Sequence, residues 1–284
     1  MAYTSLARSV WSARLNYNLM NSLVYGKLTN SDYEGDAANA SVVKINNISA
    51  ITVEPYVHGT GLSDPSNVDT TSIDLTLDQN QSFNFMVGDI TKATTNINTV
   101  DGAMENLAYA IANAIDSYVA GLYTGVDSGN FLGTDIAPET IGIGAEEYKA
   151  YDFIVDLGTI LNKANVPSAG RFVIVPPDVL GLLAKDARFT SSPEVRANGI
   201  VEGQLISGMQ VHMSNNCPNT DGYLNKIIAG SSKAIAFATA LKEMESYRPD
   251  KYFADAVRGL QVYGAKLLNT KALAVGVANI GTTR

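Results

Sequence analysis

Apolar positions recur at two different spacings along the 284-residue chain. Trp11, Leu15, Leu19 and Leu23 stand four apart with Met20 beside them, which predicts an amphipathic helix over 6–25 closed by Gly26. Residues 33–40 (YEGDAANA) are small and polar, and alternation of the strand type begins at Val42, Val43 and Ile45. Residues 51–57 alternate again, a Gly/Asp/Pro/Asn turn follows, and 72–77 alternates, so a long hairpin is predicted. The stretch TSIDLTLDQNQSFNFMVGD, 71–89, reads as two strands with a polar kink between them, carrying Ile73, Leu75, Phe83 and Phe85 on an apolar stripe. A two-stranded hairpin is marginal in water, and nothing adjacent in sequence is fit to cover this one. It needs a partner surface.

The period then changes. Met104, Leu107, Ile111, Ile115, Val119 and Leu122 form one stripe of a helix over 99–123, with Asp101 placed to cap its start and Gly125 to end it. Residues 127–143 are glycine-rich and irregular. Beyond them helices over 152–164 and 177–187 alternate with strands at 171–175, 210–213, 226–229 and 234–237, an α/β pattern, and 243–277 returns to strand-type alternation. No internal repeat is visible.

Composition narrows the function classes. With 28 acidic against 20 basic residues and a formal charge of -8, the chain lacks the clustered Lys and Arg of a phosphate-gripping surface. A single cysteine, Cys217, excludes an intrachain disulfide and fits a reducing compartment. No apolar run reaches the ~18 residues that span a bilayer. Arg8 and Arg14, with no acidic residue before Asp32, keep a transit-peptide reading as an alternative for the N-terminus. The two Asn-X-Ser matches, at Asn39 and Asn47, are read as chance without a secretory signal.

Catalytic groupings are missing from the pattern. His58 precedes a turn glycine, and His212 alternates with Val211 and Met213, so both read as polar strand and turn positions. Asp32, Glu34 and Asp36 are spaced as in a calcium loop, but Ala37 stands where glycine is needed and Val43 where glutamate is needed. Gly59-Thr-Gly61 and Gly142-Ile-Gly144 are fragments of a dinucleotide fingerprint, better explained as turns. Cys217 lies in an Asn-Cys-Pro-Asn turn, and Pro176-Pro177-Asp178 reads as a helix start. No catalytic, cofactor or metal site is expected, which points to a protein whose function is its contacts.

Four blocks carry a resemblance. SVWSARLNYNLMNSLVYGKLTNSDYEGD (9–36), VPSAGRFVIVPPDVLGLLAKDARF (166–189), GQLISGMQVHMSNN (203–216) and FADAVRGLQVYGAKLLNTKALAV (253–275) resemble, in order, the arm, the axial domain (both middle blocks) and the closing strands of tailed-bacteriophage major capsid proteins. The resemblance implies an α+β fold of the Hong Kong 97 type: an N-terminal arm (1–41), an extended hairpin loop (42–95), a peripheral domain with a long spine helix (96–146), an axial α/β domain (147–240) and returning peripheral strands (241–284). It further implies a structural protein, not an enzyme, that self-assembles through pentamers and hexamers into an icosahedral virion shell around double-stranded DNA. Scaffolding, portal and decoration proteins are the implied partners, with the host cytoplasm as the site before assembly, enclosure of DNA without sequence-specific binding, and no membrane. Trp11, Arg14, Ile73, Leu75, Phe83 and Phe85 are the expected subunit-interface residues, the hairpin stripe being buried only by a neighbouring subunit. The intrachain alternative is that residues 243–277 cover the stripe. An encapsulin shell shares the fold and is the rival reading; a soluble α/β enzyme using 147–240 is the remoter one.

Overall fold

A computed structural model describes residues 15, 18–19, 23–37, 41–48, 53, 58, 70–88, 99–142, 147–190 and 204–280. In chain order the helices are α1 (Tyr25–Leu28), α2 (Glu34–Ala37), α3 (Thr99–Gly121), α4 (Ala150–Lys163), α5 (Pro177–Lys185) and α6 (Ala187–Thr190). The strands are β1 (Val42–Ile48), β2 (Thr70–Thr76), β3 (Gln79–Gly88), β4 (Phe131–Leu132), β5 (Glu139–Ile141), β6 (Arg171–Val175), β7 (Leu205–Ile206), β8 (Met209–Met213), β9 (Asn219–Thr220), β10 (Leu224–Ser231), β11 (Ile235–Tyr247), β12 (Ala254–Leu267) and β13 (Leu273–Ile280).

They form a two-stranded β1-β2 ladder, a three-stranded sheet in the order β11-β12-β3, and an eight-stranded sheet in the order β4-β13-β10-β6-β8-β7, with β5 on β13 and β9 on β10. The large sheet takes in β6, β8 and β10 of the α/β stretch 147–240. All five residues of β6 are buried: Phe172 to Val175 form the continuous apolar run that a central strand requires, and Arg171 donates from its guanidinium to the Pro167 carbonyl and to Asn162 Oδ1. The stripe Phe153, Ile154, Leu157 and Leu161 of α4 packs on this sheet. Gly276 in β13 lets α4 approach, because a Cβ there would stand 2.3 Å from the Phe153 ring.

Two boundaries differ from the resemblance-based division. The last described strand, β13, which that division gives to the returning peripheral strands, pairs with β10 over Leu273–Asn279 within the eight-stranded sheet. In the other direction β11, whose first residues were placed in the axial region, runs 13 residues and pairs with β12 from Ile235 onward. A strand's period identifies it as a strand but carries no address for its partner.

The helix α3 spans 23 residues, about 34 Å at 1.5 Å per residue. Its stripe lies against two layers: Met104 meets Met244 and Val257 of the three-stranded sheet, while Ile111, Ile115 and Val119 join the main core. The same core takes in Leu15, Leu19, Leu23 and Tyr25, so the described part of the N-terminal segment is docked on its own chain. Gly26, expected to end that helix, instead lies within α1 and is buried.

Candidate assembly surfaces

The β1-β2 ladder is the hairpin foreseen around 72–77, but its partner strand is Val42–Ile48, with Val43 opposite Leu75 and Ile45 opposite Ile73. The expected first strand, 51–57, lies outside the described residues apart from Val53, which is 90% exposed.

The expectation that only a neighbour covers the stripe is corrected here. Leu75 is fully buried within the chain, packed with Val43, Ile45 and Leu77 on Ala236, Ala238 and Val262. Small residues allow this. Gly264 sits under the end of β2 so closely that a Cβ would lie 2.1 Å from the Thr76 carbonyl oxygen. Phe83 and Phe85 also turn inward: β3 pairs with β12, and both rings, half-buried, pack with Met104, Met244 and Val257 beneath α3. The cover comes from β11 and β12: Met244, Val257 and Val262 fall within the 243–277 of the intrachain alternative, while Ala236 and Ala238 precede it. Ile73 differs: half-exposed, it lines a cleft of about 530 Å³ together with Tyr33, Ile45, Lys233 and Lys271. Trp11 and Arg14 lie outside the described residues.

A buried polar junction that sequence reasoning missed ties the arm to the spine. Asp116 of α3 is 2% exposed, and its carboxylate accepts hydrogen bonds from the backbone N–H of Val24 (2.8 Å) and of Gly26 (3.1 Å) at the start of α1. Burial pushes the Asp116 carboxyl above the usual carboxylate range, while the arm's amides pull it back down. Next to it the Tyr25 hydroxyl donates to the Cys217 sulfur (3.5 Å), which links the arm to the axial layer. Burial raises the Cys217 thiol to about 11, so it stays protonated, and Cys217 is a packed, free thiol. The available signal was Asp116's position on one face with Ala112 and Ala120, both buried: an acid in an apolar seam needs donors from elsewhere.

Removing that acceptor has a defined cost. Asp116→Ala leaves the amides of Val24 and Gly26 buried without a partner and is expected to lower stability by about 1–3 kcal/mol. Urea unfolding measures it, and faster proteolysis within 15–37 locates it. The pH sign follows from the raised pKa. The group's stabilising contribution is full below its unfolded value and fades as pH rises through its folded one, so the variant's deficit is largest below about pH 4 and shrinks as pH rises.

Chemistry-bearing residues stay apart. His58 is an exposed turn residue, and His212 lies half-buried in β8 of the axial sheet. Pro177 opens α5 at its first position, as the helix-start reading of 176–178 expects. Among the described residues no cluster of three His, Cys, Asp or Glu side chains is arranged to hold a metal ion, and no helix is long and apolar enough to cross a membrane.

A family model described as phage capsid protein matches residues 89–276. No curated protein matches the chain. Among solved structures, one from Mycobacterium phage Che8 is similar with 26% identity and a TM-score of 0.65, over 89% of this chain and 90% of that one. The capsid of cyanophage P-SCSP1u is similar with 13% identity and a TM-score of 0.64, over 89% and 86%. The capsid of Ralstonia phage GP4 is similar with 13% identity and a TM-score of 0.64, over 90% and 87%. With the family model spanning well over half of its length, the chain belongs to the phage capsid protein family, and it is a major capsid protein of the Hong Kong 97-type fold.

Proposed function

We propose that copies of this chain associate through pentamers and hexamers into a closed icosahedral shell that encloses the double-stranded DNA of a tailed phage. One observation carries the assembly part beyond family membership: burial along the hairpin falls from its root outward. Leu75 is sealed by the chain's own sheet, Ile73 is half-open, and Thr70 to Ser72 are exposed. The chain therefore anchors the hairpin at one end and leaves the rest to be met by another copy. Ile73 is the contact residue proposed on the hairpin, and Trp11 and Arg14 are those proposed on the arm. Closed point-group symmetry lets many such contacts add to one stable container.

The five parts keep the roles the resemblance implies, with the boundary changes made by β11 and β13. Subunits gather in the host cytoplasm, with scaffolding, portal and decoration proteins as partners from other genes. The acidic balance, 28 against 20, suits a wall that holds DNA by enclosure, since a surface that neutralises few phosphates lets the duplex move during filling. The free subunit is accordingly expected to bind duplex DNA weakly at physiological salt. A sub-micromolar dissociation constant in fluorescence anisotropy would count against that part.

Electron microscopy of the purified chain, alone and with neighbouring gene products, tests the shell. Closed particles, protecting DNA from nuclease when filled, are the expected result. A chain that sediments as a monomer in every mixture would overturn the proposal.

A further inference from the structure

The chain passes from the eight-stranded sheet to the three-stranded one through the β10–β11 turn and returns through the β12–β13 turn. Each turn carries a lysine, Lys233 in the first and Lys271 in the second. Backbone hydrogen bonds lace the turns together: the Ala234 carbonyl accepts from the N–H of Leu268 (2.8 Å) and of Asn269 (3.3 Å), and the Ser231 N–H donates to the Ala272 carbonyl (3.1 Å). Each turn is also closed on itself, by the Ala234 N–H on the Ser231 carbonyl and the Ala272 N–H on the Asn269 carbonyl. The two lysine stems therefore start from one fixed frame.

Both lysines line the cleft of about 530 Å³ at the root of the hairpin, with Tyr33 of the arm and Asn46 of β1 on its other walls. Nothing negative balances them. Lys44 sits opposite Asp74 and Lys226 pairs with Asp135, as an acidic chain makes easy. Among the described residues no carboxylate lines this cleft, and none pairs with Lys233 or Lys271. The nearby acceptors are already used: Asn269 Oδ1 takes the Lys271 N–H (3.0 Å), and the Thr270 carbonyl takes the Asp127 N–H (3.2 Å). What remains beside the two ammonium groups is the Asn269 amide nitrogen and the hydroxyls of Thr270 and Tyr33, a lining dominated by donors. Like charges converging on such a lining repel each other until an anion enters.

We infer that this cleft binds a phosphate-bearing ligand, with the phosphate group held between Lys233 and Lys271. A phosphate offers three strong acceptor oxygens, enough for both ammonium groups and one neutral donor at once. The volume falls within the roughly 300–1,000 Å³ of ordinary ligand sites, which leaves room for the group that carries the phosphate. Two sources share this chemistry, a free phosphate compound and the backbone of packaged DNA. Two lysines neutralise about two phosphates, which adds little to duplex affinity and agrees with the weak binding expected of the free subunit. The site belongs to the single chain and does not depend on the shell reading.

Calorimetric titration of the dissociated subunit with inorganic pyrophosphate at low ionic strength tests this. Saturable one-site binding with a dissociation constant below about 1 mM is expected. Lys233→Gln with Lys271→Gln is expected to weaken it by more than about ten-fold while leaving the unfolding midpoint unchanged, because both side chains are exposed. Lys27→Gln with Lys251→Gln alters two exposed lysines that do not line the cleft and is expected to leave the affinity unchanged. No saturable binding up to about 10 mM pyrophosphate would overturn the inference. So would equal affinity in the cleft variant, or an equal loss in the second pair, which would mark a diffuse charge effect. A short DNA duplex added as competitor separates the sources: displacement of pyrophosphate assigns the cleft to the packaged backbone, and no displacement assigns it to a free phosphate compound.

Discussion

Replacing Phe83 and Phe85 together by serine is expected to destabilise the isolated subunit by about 3–5 kcal/mol, before any assembly is attempted. Both rings are half-buried and close a pocket with Met104 of α3, Met244 of β11 and Val257 of β12. Gly259 makes room for the first of them: a Cβ at that position would stand 2.4 Å from the Phe83 ring. Serine would remove most of the apolar contact under the spine helix and leave a void there. Urea denaturation of the dissociated subunit measures the loss. An unchanged midpoint combined with failed assembly would instead mean that the two rings serve a neighbour, as the sequence alone suggested.

The second large effect comes from a buried lysine. Lys226 of β10 is 1% exposed and pairs with Asp135, a half-exposed residue of the β4–β5 connection. Removing the acid leaves the buried Lys226 ammonium without its counter-charge, so Asp135→Ala is expected to cost about 3–5 kcal/mol. Lys226→Met removes both the charge and its desolvation while keeping a flexible apolar chain of similar length. It is expected to be neutral or stabilising, and Asp135→Ala in the Lys226→Met background should then cost almost nothing. Calorimetric unfolding of the four proteins closes the cycle. A cost for Asp135→Ala no greater than that of a surface pair, under about 1 kcal/mol, would show that the ammonium reaches water without its partner.

These two cases differ in how far they could be read from residues alone. Phe83 and Phe85 were visible as one face of an alternating strand, and their burial was anticipated; the identity of the surface that buries them was not. β3 spans 79–88 and its ladder partner in β12 spans 254–263, so the cover is distant in sequence and no local period points to it. Lys226 and Asp116 showed only as charges in apolar stretches. The partners that make them tolerable, Asp135 and the amides of Val24 and Gly26, became clear once the chain was folded.

By itself the sequence determined the local pieces: the spine helix from its unbroken stripe between Met104 and Leu122, the buried strand at 171–175 from the apolar run Phe172 to Val175, and the strand character of 72–77 and 210–213. It also determined family membership, through ordered blocks whose residues are specific enough to be matched. Tertiary structure decided the pairing. It took β13 to the eight-stranded sheet and β11 to the three-stranded one, turned Phe83 and Phe85 beneath α3, and sealed Leu75 on Ala236 and Ala238. The physical reason is that periodicity reports which face of a segment is apolar. Strand pairing and close backbone approach, as at Gly264 beneath Thr76, depend on which distant segments reach one another with their small residues aligned.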